Sequence, residues 1–165
     1  MVDISGLSAR QLLKLYADIE EQLRSLKIIS SANNPAGDLA ETLFCKAFDW
    51  DRADKSQAHY DAKGKVDGKL YQIKCRRITR FNSSRQLSAI RGLEQAQHFD
   101  VLAGLLLRED YSVYKAALVP HEVVLEHSSF QKHTNSRRFL LVDDIWKIPA
   151  VRDVTEQLLN AEKSM

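Results

Sequence analysis

The sequence predicts an α/β fold: one domain with a central mixed β-sheet flanked by α-helices and preceded by an N-terminal helix. Three observations carry this prediction. Residues 101–107 are continuously apolar over the length of one strand, which is the pattern of a strand buried on both faces. Asp67-Gly68 separates two segments with strand-like alternation, the signature of a hairpin. Helical spacing then marks both ends of the chain, through Leu12, Leu15, Ile19, Leu23 and Leu26 at the start and Val151, Val154, Leu158 and Ala161 at the end. The order helix, hairpin, helix, strands, helix indicates one α/β domain with a mixed sheet.

Each element follows from local chemistry. Residues 8–27 form the first helix, opened by the capping-box pair Ser8 and Gln11. A polar connector, 30–35, ends with Asn34 as N-cap and Pro35 at the first helical position, and a second helix runs to about Phe48. Residues 49–58 are polar and read as a loop with room for a short strand. The hairpin strands lie near 59–65 and 69–76. Ser83 and Gln86 form a second capping-box pair, which predicts a third helix through about Gln95. Further strands are expected at 101–107, 112–119 and 139–142, with a short helix after Pro120 around Val123, Val124 and Leu125. Residues 1–30 make an N-terminal helix that packs on the domain or on a dimer partner, and 31–165 make a single α/β domain.

Composition narrows the function classes. The chain has 165 residues, 44% apolar and 28% charged, which excludes wholesale disorder. No apolar run approaches the roughly 18 residues of a membrane span, and no signal-peptide pattern opens the chain, so a cytoplasmic protein without a membrane partner is expected. Cys45 and Cys75 are the only cysteines and lack metal-ligand spacing, which excludes a disulfide framework and a zinc ribbon. The net charge of +2 conceals a segregation. From Lys55 to Gly92 ten bases face only Asp61 and Asp67, a segment of +8, and the remainder carries −6. Such a segment attracts a polyanion; the alternative is a lysine-rich solvated surface.

Within that segment the hairpin register can be derived. A two-residue turn at Asp67-Gly68 makes paired residue numbers sum to 135, so that Asp61 opposes Lys74 and Gln72 opposes Lys63, diagonal to Asp61. Asp61, Gln72 and Lys74 then share one face, while Tyr71, Ile73 and Cys75 point into the other layer. A plain cross-strand ion pair is the alternative reading of Asp61 and Lys74. Glu41 lies on a second helix that is apolar nearly all round, where a carboxylate needs a cation, either a metal or a nearby Arg or Lys. Glu41 and Asp61 supply two hard oxygen ligands and Gln72 a carbonyl oxygen, a set suited to Mg²⁺ or Mn²⁺. Lys74 can orient an attacking water or neutralise charge developing on a phosphoryl group. Lys63, Arg76, Arg77, Arg80, Arg85 and Arg91 are candidate contacts to a nucleic-acid backbone, with the start of the third helix as a further anion site.

These residues resemble a known family. Glu41 on a helix, Asp61 on a strand and Gln72-Ile73-Lys74 on the next strand look like the PD-(D/E)XK nuclease superfamily, in the variant with Gln in the Q-x-K position found in Mrr-type enzymes. The longer strings from Asn33 to Glu41, Tyr60-Asp61-Ala62 and Tyr71 to Lys74, with Ser84 to Arg91 and Phe99-Asp100, are similar to bacterial proteins assigned to that fold. The resemblance implies a restriction-endonuclease-like sheet, Mg²⁺ at Glu41 and Asp61, Gln72 as ligand or water-positioning residue, and Lys74 as the catalytic lysine. Tyr60 stands where the family name has proline, and Gln72 where an acid is usual, which leaves two negative charges at the site. The function this implies is a metal-dependent DNA nuclease acting in restriction, defence or repair, with RNA as the other substrate class and a homodimer as an expected assembly. The alternative is a catalytically weak or inactive nucleic-acid-binding module on the same fold. The five histidines lack zinc spacing, although His59 shares parity with Asp61. Asp143-Asp144 reads as a cap, and Trp50 and Trp146 as core or boundary residues.

Overall fold

The computed structural model describes residues 3–30, 34–54, 60–93 and 97–165. Helix α1 (Ala9–Ser25) starts at the expected capping box: the Gln11 N–H donates to Ser8 Oγ, and the Ser8 N–H donates to Gln11 Oε1 at 2.9 Å. It buries no residue; Leu13, Tyr16 and Ile19 are 72%, 58% and 49% exposed. Its second half does line an apolar cleft of about 540 Å³, through Tyr16, Ile19 and Leu23, against Leu39, Tyr111 and Met165. Helix α2 (Ala36–Phe48) follows the connector, with Asn34 Oδ1 accepting from the Ala36 N–H at 3.0 Å.

Strands β1 (Trp50–Arg52), β2 (Ala62–Gly64), β3 (Leu70–Arg77), β5 (Val101–Leu107), β6 (Val113–Pro120) and β9 (Arg152–Asp153) form one six-stranded mixed sheet in the order β1-β2-β3-β5-β6-β9. Among the described strands of this sheet only β3 and β5 run parallel. Every residue of β5 is buried, as its unbroken apolar run requires. One face carries α2 and the C-terminal helix α4 (Thr155–Lys163) over Tyr71, Ile73, Ala103 and Leu105. On that side Phe44, Phe48, Trp50 and Tyr71 stack, with the Trp50 and Tyr71 centroids 3.6 Å apart. The other face packs Leu102, Leu106 and Val119 against Leu87, Ile90, Phe139 and Leu141.

That second layer corrects the expected third helix. A parallel β3–β5 pair needs a crossover, commonly helical, yet the described part of 83–95 contains strand β4 (Ile90–Arg91) instead. It belongs to a three-stranded sheet with β7 (Ser128–Gln131) and β8 (Ser136–Phe139), in the order β4-β8-β7. Ser84 Oγ takes the Gln86 N–H and Asn82 Oδ1 takes the Ser84 N–H, so side chains here satisfy backbone donors in non-helical turns. The Leu87 N–H then donates to Phe139 O, and the Leu141 N–H to Arg85 O. Leu87 and Ile90, which the expected helix would have carried, are both buried against β5 and its neighbours. Residues 94–95 of the expected helix lie outside the described residues.

Helix α3 (His121–His127) occupies the place expected after Pro120. The strand expected at 139–142 ends at Phe139, with Leu140 adding an isolated bridge to Gln86. Among the described residues no helix is long and apolar enough to cross a membrane.

Candidate functional site

The β2–β3 register sums to 133, with Ala62 opposite Tyr71 and Lys63 opposite Leu70, where 135 was expected. The loop is longer because Asp67 is drawn into it: its carboxylate accepts from the Lys69 N–H at 3.0 Å and from the Tyr71 hydroxyl at 2.7 Å. Gly68, at φ +66°, donates its N–H to Gly64 O, a left-handed turn position that suits glycine. A shift of two keeps every side chain on its expected face. It places Asp61 beside Gln72 and one step from Lys74.

Asp61 sits where the β2–β3 ladder ends. Its own N–H donates to Tyr71 O at 2.8 Å, and its carbonyl accepts from the Ala53 N–H at 2.9 Å, so the backbone is held from both sides. Its Oδ2 accepts from the Ile73 N–H at 2.6 Å and from Gln72 Nε2 at 2.5 Å. The side chain thus takes over a β3 donor that the strand no longer satisfies.

Glu41 reaches this point from the opposite layer. Its helix α2 packs on the Tyr71 and Ile73 face, and its side chain is 26% exposed. Burial is the main cause that lifts its carboxyl above the ordinary range; Arg52 opposes the shift, and the charges of Asp61 and Asp38 add to it. The carboxylate is held by Arg52, whose Nε donates to Glu41 Oε2 at 2.7 Å and whose Nη2 contacts the same oxygen. Arg52 Nη2 also reaches Asp38 Oδ1 at 3.3 Å. Asp38 is nearly buried and takes the Ser30 N–H at 2.8 Å and the Ser30 hydroxyl at 3.2 Å. A nearby base is therefore the cation that the apolar setting of Glu41 demanded.

Lys74 and Arg76 follow Gln72 on the same face of β3. Lys74, half-buried and in register with Gly104, has no carboxylate or hydrogen-bond partner among the described residues. Arg76 Nε is buried, also without a partner there. Cys45 and Cys75 are free thiols beneath the site, each pushed up to about 11 by burial.

The basic segment is partly neutralised in space by acids distant in sequence. Arg80 pairs with Glu109 at 2.9 Å, Arg85 with Asp143 at 3.0 Å, and Lys65 with Asp49 at 2.6 Å. Arg77 lies on the opposite face from Lys74, where its guanidinium binds Glu109 O and the Tyr111 hydroxyl and covers the Tyr111 ring at 4.0 Å; this leaves it a scaffold role. Lys63 and Arg91 are exposed. Among the described residues, Lys63, Lys69, Lys74, Arg76 and Arg91 have no salt-bridge partner. Lys55 and His59 lie outside the described residues, and the expected anion site at a third helix is removed with that helix.

Sequence reasoning missed three residues. Asp38 stands three positions before Glu41 on the same helical face, and a second acid in an apolar helix was the available signal for a shared base. Arg52 alternates with Trp50 on β1, which places it on the α2 side. Phe81 is 89% exposed at the tip of a tight Thr79–Asn82 turn beside Arg80.

Among the described residues no three or more His, Cys, Asp or Glu side chains come together as a metal site. The hard donors here are two carboxylates and one amide. Gln72 donates through Nε2, which leaves its carbonyl oxygen as a donor atom, and Asp61 Oδ1 has no hydrogen-bond partner among the described residues. This oxygen set fits Mg²⁺ or Mn²⁺ and suits zinc or copper poorly. Neither the models of known protein families nor the curated proteins contain a match to the chain.

Proposed function

We propose that this chain is a metal-dependent nuclease that hydrolyses phosphodiester bonds in DNA, on a restriction-endonuclease-like arrangement of α2, β2 and β3. The observation that carries the reading is the Asp61 carboxylate, fixed at the open end of the β2–β3 ladder against Gln72. Glu41 is near enough for the two charges to act on each other, and Lys74, which has no carboxylate partner among the described residues, lies on the Gln72 face. Asp61, Glu41 and the Gln72 carbonyl would hold Mg²⁺ or Mn²⁺, which when bound supplies Lewis acidity and a more acidic water. The Ile73 N–H and the Gln72 amide orient the Asp61 carboxylate before any ligand arrives, which lowers the reorganisation needed for catalysis. The Lys74 ammonium stabilises negative charge as it develops on the phosphoryl oxygens. Arg76, Lys63 and Arg91 supply positive charge for neighbouring phosphates, and Phe81 beside Arg80 offers a face on which a base stacks. A cytoplasmic location and a homodimer belong to the same reading.

One observation favours a second reading, a nucleic-acid-binding module with a weak or inactive site. One Glu41 oxygen is already engaged by Arg52, and a glutamine, Gln72, stands where a third acidic ligand would add charge. Incubation of supercoiled DNA, linear DNA and RNA with Mg²⁺ or Mn²⁺ separates the two. The nuclease reading expects cleavage of DNA that stops with EDTA and with Asp61→Asn; binding without cleavage supports the module, and no binding at low salt rejects both.

A further inference from the structure

The guanidinium of Arg52 lies between two acids that differ in kind. Glu41 is half-buried and near enough to Asp61 to feel its charge, whereas Asp38 is nearly buried and accepts two hydrogen bonds from Ser30. Arg52 contacts the Glu41 oxygen through both Nε and Nη2, and reaches Asp38 through Nη2 alone at 3.3 Å. A divalent ion at Asp61 would need the same Glu41 carboxylate. Two cations held at close range by one carboxylate repel each other strongly in a partly buried site.

We infer that Arg52 is a built-in counter-cation that competes with the divalent ion for Glu41, and that Asp38 is the seat to which its guanidinium withdraws when the ion binds. The inference rests on the metal-dependent reading above and adds its regulation. Without metal, Arg52 compensates the charge on Glu41 and keeps the side chain in place. With metal, Glu41 turns to the ion and the Asp38 contact keeps the guanidinium from being stranded, which lowers the cost of the exchange. The site is thereby set to weak metal affinity until a polyanion or a high metal concentration tips the balance. Arg52 is a positioning residue in this account and does not touch substrate.

The test is Mn²⁺ binding to the metal-free full chain, read by electron paramagnetic resonance without DNA, for wild type, Arg52→Gln and Arg52→Lys. Competition predicts about tenfold tighter Mn²⁺ binding in Arg52→Gln. It also predicts an intermediate value in Arg52→Lys, which keeps the charge but loses the two-donor contact. A purely structural role predicts equal or weaker binding in both. A second readout uses Mg²⁺ titration of the wild type: the Arg52 Nε–H resonance, bonded to Glu41 in the apo protein, shifts with the same midpoint as metal binding. Equal or weaker Mn²⁺ binding in both variants, or an unmoved resonance at saturating Mg²⁺, overturns the inference and leaves the metal reading standing. Absence of Mn²⁺ binding in all three proteins overturns both.

Discussion

The backbone N–H of Ile73 donates to the carboxylate of Asp61 at 2.6 Å, so a side chain on one strand satisfies the main chain of the next just where their ladder ends. This relationship couples stability to the site. Asp61→Ala leaves the Ile73 donor without its acceptor, which costs about 1–3 kcal/mol. Asp61→Asn retains an acceptor oxygen and costs less, yet it removes a charge that a metal needs. Urea denaturation of the two variants is expected to rank them in that order, whereas Mn²⁺ binding is lost in both.

His121 is expected to add to acid sensitivity elsewhere in the fold. It is 8% exposed, packs edge-on to Phe99, and its Nε2 has no hydrogen-bond partner among the described residues. Burial holds its imidazole below the usual histidine range, against the weaker pull of Glu122 and Asp100. A depressed folded-state value means that the unfolded chain takes up the proton first. The stability His121 contributes is therefore complete above about pH 6.5 and lost as pH falls through the lower folded value. His121→Phe is expected to flatten the decline in the urea midpoint between pH 7.5 and pH 5, compared with wild type.

On the proposed nucleic-acid surface, charge and stacking can be separated. Arg91→Ala is expected to weaken DNA binding uniformly and to lower the slope of log affinity against log salt by about one, the result of losing one phosphate contact. Phe81→Ser removes one aromatic face and is expected to weaken single-stranded DNA by about 1–3 kcal/mol with the salt slope unchanged. Fluorescence anisotropy in EDTA, from 50 to about 200 mM salt, measures both. Neither side chain is buried, so thermal midpoints are expected to stay within a degree or two of wild type.

Much of this was legible in the sequence. Ser8 and Gln11, the apolar run of β5 and the alternation around Asp67-Gly68 are local signals, and each produced its element. Ser83 and Gln86 carried the same capping pattern as Ser8 and Gln11 without forming a helix. Their outcome was decided by Phe139 and Leu141, more than fifty residues away, which supply the backbone partners of that segment. The faces of Asp61, Gln72 and Lys74 survived an error of two in register because parity is insensitive to an even shift. The role of Arg52 was not legible, since its contacts with Asp38 and Glu41 cross from β1 to α2 and depend on how that helix lies on the sheet.

On the nuclease reading, hydrolysis takes place at the face of β3 that carries Gln72 and Lys74. The most direct test is Mg²⁺-dependent nicking of supercoiled DNA by wild type and Lys74→Ala at protein concentrations giving equal DNA occupancy. Lys74 has no ion pair among the described residues, so its removal should leave the fold intact. Mg²⁺-dependent nicking by the wild type is expected, with a rate about 10²–10³-fold lower in Lys74→Ala, the scale expected for loss of a group that stabilises charge in the transition state. Equal rates for the two proteins, or no nicking by the wild type with either Mg²⁺ or Mn²⁺, would contradict it.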